Sequence, residues 1–543
     1  MVTQQMPLID GSEHRSDTTF TTSEEARVAR AAGTIGLATL VSRILGFIRD
    51  MVVAAIFGAT LAADAFYVAY RIPSMLRELF AEGSMSAGFV PVFTEYLTKR
   101  SKGEARRLAH AAFTMVLLGL TIISLLGILL APWLVKLIAP GFGDDPYKSE
   151  LTTFLTRLMF PYLLFIGLAA LAMGMLNSLR SFGAPAISPA IFNLSIIGTV
   201  LFISPVLTEP IIGVAFGVLI GGLAQWLIQV PALHRHSMAF RICWEPSHEG
   251  IRRMAILLFP ILLGLSVSQI NIFFNTLFAS FLPEGSVTYL YYGMRLIHFP
   301  LGIFGIALAT AILPSMAVQA VNNAHQELKE TLSFGLRLVF FITFPALVGL
   351  ILLRIPIVHL LFQHGEFTYQ ATLGTAAAVM GYAVGLWAFG GVRIVVSSFY
   401  ALQDTKTPVR VAILAVVANI ILSLILMPSL KHAGLALAAS LASILNFGLL
   451  IWHLQKRLGQ FDWQRILRSH GRVLIASAAL GLISWWVANQ GIWIMQGHWI
   501  HKTLLLGGGI LGSVAAYLMI HLVMKSEEMF FLWRTVKGRI DID

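Results

Sequence analysis

The sequence has little charge and almost no cysteine. Asp, Glu, Lys and Arg make up 12% of the 543 residues, about half the share found in an average soluble domain. The single cysteine, Cys243, excludes an intrachain disulfide framework and a cysteine-based metal site. The sequence also lacks a glycine-rich phosphate loop ending in Lys and Ser or Thr, so it predicts no ATPase module of that type. Its histidines have no metal-ligand spacing, and no nucleophile or acid–base pair indicates an enzyme.

Apolar residues are abundant: they form 57% of the chain, and the mean hydropathy is +0.79. They occur in runs of about 20 residues, the length that crosses the apolar core of a bilayer as an α-helix. The sequence therefore predicts an all-α polytopic membrane protein. We expect fourteen transmembrane helices, at 32–57, 62–93, 109–138, 151–178, 186–207, 211–233, 254–281, 286–316, 333–361, 371–401, 408–428, 433–455, 471–490 and 502–524.

Basic residues are concentrated in alternate loops, which explains the net charge of +11 without a nucleic-acid partner. They follow span two (Lys99, Arg100, Lys102, Arg106, Arg107), span six (Arg235, Arg241, Arg252, Arg253) and span twelve (Lys456, Arg457, Arg465, Arg468, Arg472). Loops rich in Lys and Arg remain in the cytoplasm. We therefore predict that both termini are cytoplasmic, with a disordered tail at 1–30 and a second tail at 525–543.

The chain contains an internal repeat. Pairs of like residues recur 224 positions apart, among them Ser42 with Ser266 and Arg71 with Arg295, and Asp64 has Thr288 at the same offset. Since each half has an even number of spans, both halves enter the membrane in the same direction, as in a known type of transporter. We predict two six-helix lobes related as a parallel repeat, at 31–233 and 254–455, and two extra C-terminal helices at 471–524.

Ionisable residues lie within predicted spans one, two and eight. "LVSRILGFIRDMVVAAIFG" (40–58) contains Arg43, Arg49 and Asp50, and span two and span eight add Asp64, Arg71, Arg77, Glu78, Glu82, Arg295 and His298. Charge at membrane depth is costly and usually marks a binding site. Arginine pairs with phosphate at two points and keeps its charge when desolvated, so a diphosphate ligand fits this set. For any one residue, charge-balanced packing or snorkelling to the interface is an equally good explanation.

Several stretches resemble the MurJ (MviN) lipid II flippases of the MOP exporter superfamily. They include "SRILGFIRD", "ADAFYVAYRIP", "LRELFAEGSMSAGFVPVF", "SVSQINIFFNTLFASFLPEGSVTYLYYGMRL" and "FYALQDTKTPV". The resemblance covers about residues 30–525. It implies two six-helix lobes around a central cavity, with two further helices that form a groove for the polyprenyl tail. It also implies transport of undecaprenyl-diphosphate-linked disaccharide-pentapeptide to the outer leaflet by alternating access.

The resemblance assigns roles to the charged residues. It implies that Arg43, Arg49 and Arg295 bind the diphosphate and head group, with Arg71 and Arg77 as further basic contacts. We expect Arg49 to be the main ligand contact, and Asp50 to balance its charge. Ser42, Asp50, Asp64, Glu82, Thr288 and His298 are expected to line the cavity or its gate.

The sequence departs from the family pattern at two sites. Many members have acidic residues where this chain has Met294 and His298, and those losses make that side of the cavity more positive. Some members bind sodium through carboxylates, whereas the matching positions here are Asn275, Asn419 and Ser423. Neutral amides are poor substitutes, so we predict a degenerate cation site with little or no sodium dependence. We expect no cofactor, and coupling to the membrane potential or an ion gradient.

Three other functions are considered. A different MOP exporter, of oligosaccharide-lipids or drugs, would keep the fold, but a cation exporter should carry unpaired acids in its cavity. A scaffold for cell-wall enzymes would tolerate a degenerate cavity, against which the retained Arg295 argues. A membrane enzyme lacks candidate catalytic groups. The flippase hypothesis implies that the chain lies in the bacterial inner membrane as a monomer, with lipid II, membrane lipids and the cell-wall synthesis machinery as partners.

Overall fold

A computed structural model describes residues 22–79, 83–302, 306–494 and 497–536, and their regular structure is entirely helical. The first half contains α1 (Thr22–Phe57), α2 (Leu61–Arg77), α3 (Gly83–Lys99), α4 (Lys102–Ile138), α5 (Pro146–Met159), α6 (Tyr162–Ser178), α7 (Gly183–Phe202), α8 (Ile212–Leu227) and α9 (Val230–Arg235). The second half contains α10 (Glu249–Ser280), α11 (Ser286–Pro300), α12 (Ile306–Val321), α13 (His325–Leu352), α14 (Arg354–Phe362), α15 (Tyr369–Ala383), α16 (Leu386–Ala401) and α17 (Lys406–Leu458). The last three helices are α18 (Trp463–Ala488), α19 (Trp499–Val523) and α20 (Glu527–Val536).

The predicted polytopic all-α class is confirmed. Within the described ranges, eight helical segments are long and apolar enough to cross a membrane, or nine if the bent pair α15 and α16 forms one span. One of them, α17, contains two predicted spans and is broken at Lys431, whose φ of 50° and ψ of −133° are not helical. The other predicted spans correspond to α1, to α2 with α3, to α10, and to α11 with α12.

Several predicted spans are pairs of shorter helices. Predicted span two is split between α2 and α3, and α11 and α12 divide span eight. Proline lies inside all four helices, at Pro73, Pro91, Pro300 and Pro314. Since proline has no N–H and its ring clashes with the preceding turn, such helices bend or end near it. Irregular backbone at membrane depth is tolerated where protein buries it or where it lines a cavity.

The helices form two groups that meet over a shared core. In the first group α1 packs on α7, α7 on α8, and α2 on α5; in the second α11 packs on α15, and α16 and α15 on α17. The groups touch where α2 meets α11, where α3 and α4 meet α10, and where α1 meets α14. The main hydrophobic cluster draws buried residues from both groups, including Phe66, Tyr67 and Phe93 from one and Tyr292 and Phe362 from the other. This packing places the charged parts of α1, α2 and α11 next to one another.

The last helices form a separate layer. α18 and α19 pack on each other, and α18 lies against α13. α20 folds back onto this layer, where Arg337 of α13 binds Glu528 of α20 at 2.9 Å and Glu527 at 2.8 Å. The predicted C-terminal tail therefore includes a docked helix at Glu527–Val536.

The N-terminal tail prediction needs a correction. α1 begins at Thr22, so residues 22–30 are helical rather than disordered, and residues 1–21 lie outside the described part of the chain. The segment "TSEEARVARAA" at the start of α1 contains mainly residues with good helix propensity and has acidic residues near the helix N-terminus, where they interact favourably with the helix dipole.

Candidate functional site

Asp64 of α2 joins the two helix groups at the start of α11. Its carboxylate accepts hydrogen bonds from the backbone N–H groups of Gly285 and Thr288, at 2.8 and 3.0 Å, and from the Thr288 hydroxyl at 2.7 Å. Lys148 Nζ lies 3.3 Å from the same carboxylate. Asp64 thus caps the N-terminus of α11 from outside the helix, where a negative charge is favoured. We call this region, where residues 55–64 meet 283–288 and 364–367, the sealed end.

Two glycines allow close backbone contact at the sealed end. Gly58 follows α1 with φ +58°, and Gly365 lies in the loop after α14 with φ +53°. A Cβ on Gly58 would collide with the Glu366 carbonyl, and one on Gly365 would collide with the Ala55 carbonyl. The loop is joined to α1 by a hydrogen bond from the Glu366 N–H to the Ala55 oxygen, 2.8 Å long. The sequence "FQHGEFT" (362–368), which has no strong signal of its own, therefore helps to seal the space.

Three tyrosines form a layer beneath the seal. Tyr67 of α2 stacks on Tyr291 of α11 with ring centroids 4.1 Å apart, and the Tyr67 hydroxyl lies 2.7 Å from that of Tyr292. Tyr67 and Tyr292 are 5% and 0% exposed. The layer separates the sealed end from the charged cluster below it.

Asp50 is the centre of that cluster and is 2% exposed. Arg49 donates to Asp50 Oδ1 from Nη2 at 2.6 Å and from Nε at 3.0 Å. Arg295 of α11 places Nε 2.7 Å from Asp50 Oδ2. Its N–H does not point at that oxygen, so the contact is an ion pair without a hydrogen bond. The helix groups are thus joined through one carboxylate between two guanidinium groups.

Asn193 of α7, which was not among the predicted site residues, fixes the position of Arg49. Its Oδ1 accepts from Arg49 Nη1 at 3.1 Å, and its Nδ2 donates to the Ser42 carbonyl at 3.1 Å. Arg49 Nη2 also donates to the Tyr291 hydroxyl at 3.3 Å. A lone asparagine in the apolar run of α7 was the only available signal. Its partners are more than 140 positions away, and sequence periodicity does not reveal such distant contacts.

Arg43 and Arg295 are more accessible than Arg49. The Arg49 side chain is 14% exposed and that of Arg295 is 34% exposed. Arg43 is exposed beside Gly302, where its guanidinium would lie 3.4 Å from a Cβ on that glycine. Arg43 has no ion pair with any described residue. In this conformation Arg49 is engaged with protein groups, while its predicted role as the main ligand contact remains a prediction.

A further arginine, Arg393 of α16, lies in the same region. It is exposed, and it lies within electrostatic range of His298, as do Arg295 and Glu78. Glu78 accepts a hydrogen bond from Gln269 Nε2 of α10 at 2.7 Å. Arg393 was not among the predicted site residues; it is a single charge in the otherwise apolar helix α16. Only folding places it near the end of α11.

The other described residues of the predicted site, in α2 and α11, do not contact Asp50. Arg71 and Arg77 are half-buried, and Arg71 lies within electrostatic range of Tyr382 on α15. Thr288 is fully buried at the sealed end, and the exposed His298 is at the other end of α11. Glu82 falls outside the described residues. The predicted site is therefore divided between the sealed end and a deeper group of arginines.

The predicted cation site is a cluster of amides. Asn419 Nδ2 of α17 donates to Asn271 Oδ1 at 2.7 Å and to Asn275 Oδ1 at 2.9 Å, both in α10. Asn271 was not part of the prediction. Ser423 is fully buried, and neither its hydroxyl nor Asn419 Oδ1 has a hydrogen-bond partner among the described residues. The cluster is rich in oxygen but has no carboxylate.

The deeper cluster is suited to an anion. Arg43, Arg49, Arg295 and Arg393 carry four positive charges, and Asp50 and Glu78 carry two negative charges, which leaves a difference of two. A doubly charged phosphate group could restore neutrality there. Because Asp50 already bridges the two helix groups, an incoming anion would compete with it for the same guanidinium groups.

Comparison with known proteins identifies the family. The family model for lipid II flippase MurJ matches residues 53–508. A probable lipid II flippase MurJ of Vibrio cholerae is 36% identical over 93% of this chain and 98% of its own. The lipid II flippase MurJ of Burkholderia cenocepacia is 34% identical over 92% and 98%.

Solved structures agree with this match. One described as lipid II flippase MurJ in an inward closed conformation has a TM-score of 0.76 and 27% identity, covering 90% of this chain and 98% of that one. An inward-facing multidrug transporter of the MATE family has a TM-score of 0.64 at 14% identity, covering 78% and 98%, which is a likeness of fold alone.

Proposed function

This chain belongs to the lipid II flippase MurJ family, and on that premise we propose that the arginines around Asp50 bind the diphosphate of lipid II during transport. The protein is a lipid II flippase, a transporter rather than an enzyme, and a multi-pass protein of the bacterial inner membrane. Lipid II is its substrate.

The Asp50 bridge carries the proposal. Its carboxylate is buried between Arg49 and Arg295, which come from different helix groups. A diphosphate is a stronger partner for these guanidinium groups because it offers more charge and two-point geometry. Binding would replace the Asp50–Arg295 contact and free α11 to move relative to α1. Arg43, Arg71, Arg77 and Arg393 would then hold the substrate on its way to and from the centre.

The topology that fits this mechanism has fourteen spans. The two helix groups would be six-helix lobes, 31–233 and 254–455, and both termini would face the cytoplasm. The sealed end would then face outward, since it lies where α1 ends and α2 begins. Alternating access would proceed by breaking the Asp64 cap and the contact between Gly365 and α1 while the opposite end closes. Ser42, Thr288 and His298 would line this route, and Glu82 is the predicted acidic residue beyond α2.

The α18–α19 layer is the proposed site of the polyprenyl tail. A long hydrocarbon chain cannot enter a charged cavity without a large hydrophobic cost. Exposed apolar side chains on this layer include Leu482, Trp485, Leu504 and Leu511, each more than half exposed. The tail would lie on this face while the head group crosses between the lobes. We also propose that the protein acts as a monomer and that cell-wall enzymes are its protein partners.

The membrane potential is the proposed energy source. An inside-negative potential favours outward movement of an anion by about 2.3 kcal/mol per charge per 100 mV. The amide cluster of Asn271, Asn275, Asn419 and Ser423 would contribute little, because it lacks the carboxylate that a hard cation prefers. Transport in vesicles should therefore persist when sodium is replaced by potassium at constant membrane potential. A strict need for sodium would contradict this part of the proposal.

The decisive experiment is complementation of a flippase-depleted Gram-negative strain, with lipid II measured on the outer leaflet. Wild-type protein should restore growth, and Arg49→Ala or Arg295→Ala should abolish complementation while the protein still inserts. Arg393→Gln should reduce outer-leaflet lipid II about tenfold through loss of one charged contact. Arg235→Ala, an exposed arginine at the end of α9, is the matched control and should be neutral. Full complementation by both alanine variants would refute the assigned site.

The alternative functions now have less support. Within the described ranges, the acids nearest the cavity are paired: Asp50 with two arginines, Asp64 with Lys148, and Glu78 with Gln269. A drug or cation exporter would need an unpaired carboxylate there. If the wild-type protein restored drug resistance to a drug-sensitive strain but did not rescue the flippase-depleted strain, the alternative exporter function would replace the flippase proposal.

A further inference from the structure

A polar groove lies on the outer side of the first helix group, away from the Asp50 cluster. It has a volume of about 350 Å³ between α4 and α5, and its lining includes Lys136, Ser149, Glu150, Thr153 and Arg157. Both helices belong to segments apolar enough to span a membrane. Charged side chains on a lipid-facing surface need a partner or a route to the interface.

Arg157 lies within the apolar belt. Its Nε donates to the Ile128 carbonyl at 3.3 Å. Neighbouring residues of α4 face outward: Leu129 is 71% exposed and Leu130 is 48% exposed. Ile128 is ten residues before the end of α4 at Ile138, which corresponds to about 15 Å along the helix. The guanidinium group is therefore held at the depth of the hydrocarbon, not at the membrane surface.

Pro132 accounts for the hydrogen bond that Arg157 Nε donates, but it does not account for the positive charge of the Arg157 guanidinium group. Pro132 follows Ile128 by four positions and has no N–H to donate to that carbonyl. Arg157 Nε supplies the missing donor, a role that a neutral amide could fill equally well. The remaining guanidinium nitrogens have no ion pair with any described residue. The fixed positive charge is thus left for a ligand in the groove.

The other charges define the chemistry of that ligand. Lys136 is exposed two residues before the end of α4, over the ring of Trp133 at 5.7 Å. Glu150 is exposed two turns from Arg157 on the same face of α5, since seven residues make nearly two helical turns. Neither has an ion pair within the described ranges. Two cations and one carboxylate match a ligand that carries a phosphate and a primary ammonium group.

We propose that this groove binds the head group of an aminophospholipid of the phosphatidylethanolamine type. Arg157 and Lys136 bind the phosphate, Glu150 accepts from the ammonium group, and the Ser149 and Thr153 hydroxyls supply neutral hydrogen bonds. The acyl chains lie along the exposed faces of Leu129 and Phe154, which are 71% and 49% exposed. A diphosphate lipid offers the same phosphate chemistry, but its second negative charge would be repelled by Glu150.

The test is native mass spectrometry of the delipidated full-length protein with four lipids. Phosphatidylethanolamine should bind about tenfold more tightly than phosphatidylglycerol, which has no ammonium group, or phosphatidylcholine, whose ammonium group cannot donate. Undecaprenyl diphosphate should bind with wild-type affinity when the groove is mutated. Arg157→Gln, which keeps a donor for Ile128, and Lys136→Gln should each weaken phosphatidylethanolamine binding about tenfold. Lys102→Gln, at the other end of α4, is the control.

Each other outcome contradicts the proposal. Equal binding of all four lipids by wild type and variants would indicate annular lipid only. Equal affinity of the wild type for phosphatidylglycerol and phosphatidylethanolamine would refute the role of Glu150. If Glu150 binds the ammonium group, Glu150→Gln should remove the preference for phosphatidylethanolamine. Loss of undecaprenyl diphosphate binding in Arg157→Gln would assign the groove to the transported lipid. Thermal unfolding of Arg157→Gln without lipid should match wild type; a large drop would mean that Arg157 acts by supporting α4.

Discussion

Asp64 and Thr288, 224 positions apart, hold each other through two hydrogen bonds, from the Thr288 N–H at 3.0 Å and from its hydroxyl at 2.7 Å. Tyr67 and Tyr291 have the same separation and stack at 4.1 Å. These pairs occupy matching positions of the internal repeat. Residues that the repeat offset matches in α2 and α11 therefore touch each other at the sealed end.

Asp64→Asn should destabilise the protein. The substitution leaves Lys148, which is 8% exposed, without its carboxylate partner, and an unpaired buried charge costs about 3–5 kcal/mol. Thermal unfolding in detergent should show a clear drop, and adding Lys148→Met should restore part of it. Asp144→Asn, an exposed acid in the neighbouring loop, should have no effect. An unchanged unfolding temperature in Asp64→Asn would show that the cap is unimportant.

Gly365→Ala should open the sealed end. Its positive φ and its contact with the Ala55 carbonyl leave no room for a Cβ. In a Cys243→Ser background, Ser286→Cys provides a reporter that is 2% exposed in the sealed conformation. A membrane-impermeant maleimide should label it faster in Gly365→Ala. Gly143→Ala, where nothing lies within 4 Å, should leave labelling unchanged; equal rates in all three proteins would argue against a seal made by this loop.

The ion pairs that join α10 and the segment before it to α3, α4 and the linker between them should weaken in acid. Hydrogen bonds from arginine lower the pKa of three carboxyls, each of which lies outside the predicted spans: Glu95 with Arg253, Glu245 with Arg107 and Glu249 with Arg100. Because folding lowers these pKa values, the charged carboxyls stabilise the folded protein at pH values above their ordinary pKa of 4.5. This stabilisation is lost as the pH falls through the folded-state pKa, where the carboxyls become protonated. Unfolding temperatures measured from pH 7 to pH 3 should therefore fall in acid.

A variant with Glu95, Glu245 and Glu249 all changed to Gln isolates this effect. It should start with a lower unfolding temperature at pH 7, and the difference from wild type should shrink as the solution becomes acidic. A difference that stayed constant with pH would mean that these carboxyls act through packing. Glu327→Gln, at an exposed position in the first turn of α13, is a suitable control.

Two adjacent acids of α20 should differ in importance. Both bind Arg337, but the Glu528 side chain is 2% exposed and that of Glu527 is 52% exposed. Glu528 also accepts from the Ser469 hydroxyl at 2.9 Å. Glu528→Gln should cost about 3–5 kcal/mol, since it weakens a buried ion pair, whereas Glu527→Gln should cost about 1 kcal/mol or less. Unfolding temperature and protease release of α20 measure this, and equal effects would contradict the assignment.

Much of the architecture could be predicted because hydrophobicity is local. The length of the apolar runs predicted the polytopic helical class, and the repeat offset matched Asp64 with Thr288, two residues that the structure shows in contact. The breaks in spans two and eight were signalled by Pro73, Pro91 and Pro300. The helical start of α1 was missed, because a polar, mixed-charge sequence is compatible with either a helix or a disordered tail.

The partners of the charged residues could not be predicted in the same way. Asn193 beside Arg49, Lys148 beside Asp64, and Arg393 near His298 lie far apart in sequence and share no spacing pattern. Ion pairs form wherever folding brings opposite charges together, so sequence separation contains no signal for them. The same applies to Asn271, which accepts a hydrogen bond from the Asn419 side-chain amide, as Asn275 does.

The amino-acid sequence alone was enough to predict a polytopic helical membrane protein with arginines in its first, second and eighth spans, because long apolar runs cross a bilayer and charge within them is costly. The MurJ family was indicated by the resemblance of its motifs and confirmed by comparison. The folded chain was needed to show that Asp50 is shared by Arg49 and Arg295, and that Asp64 caps a helix from the other half. Those relationships depend on distances of about 3 Å between polar atoms on different helices, and packing across the whole chain sets these distances.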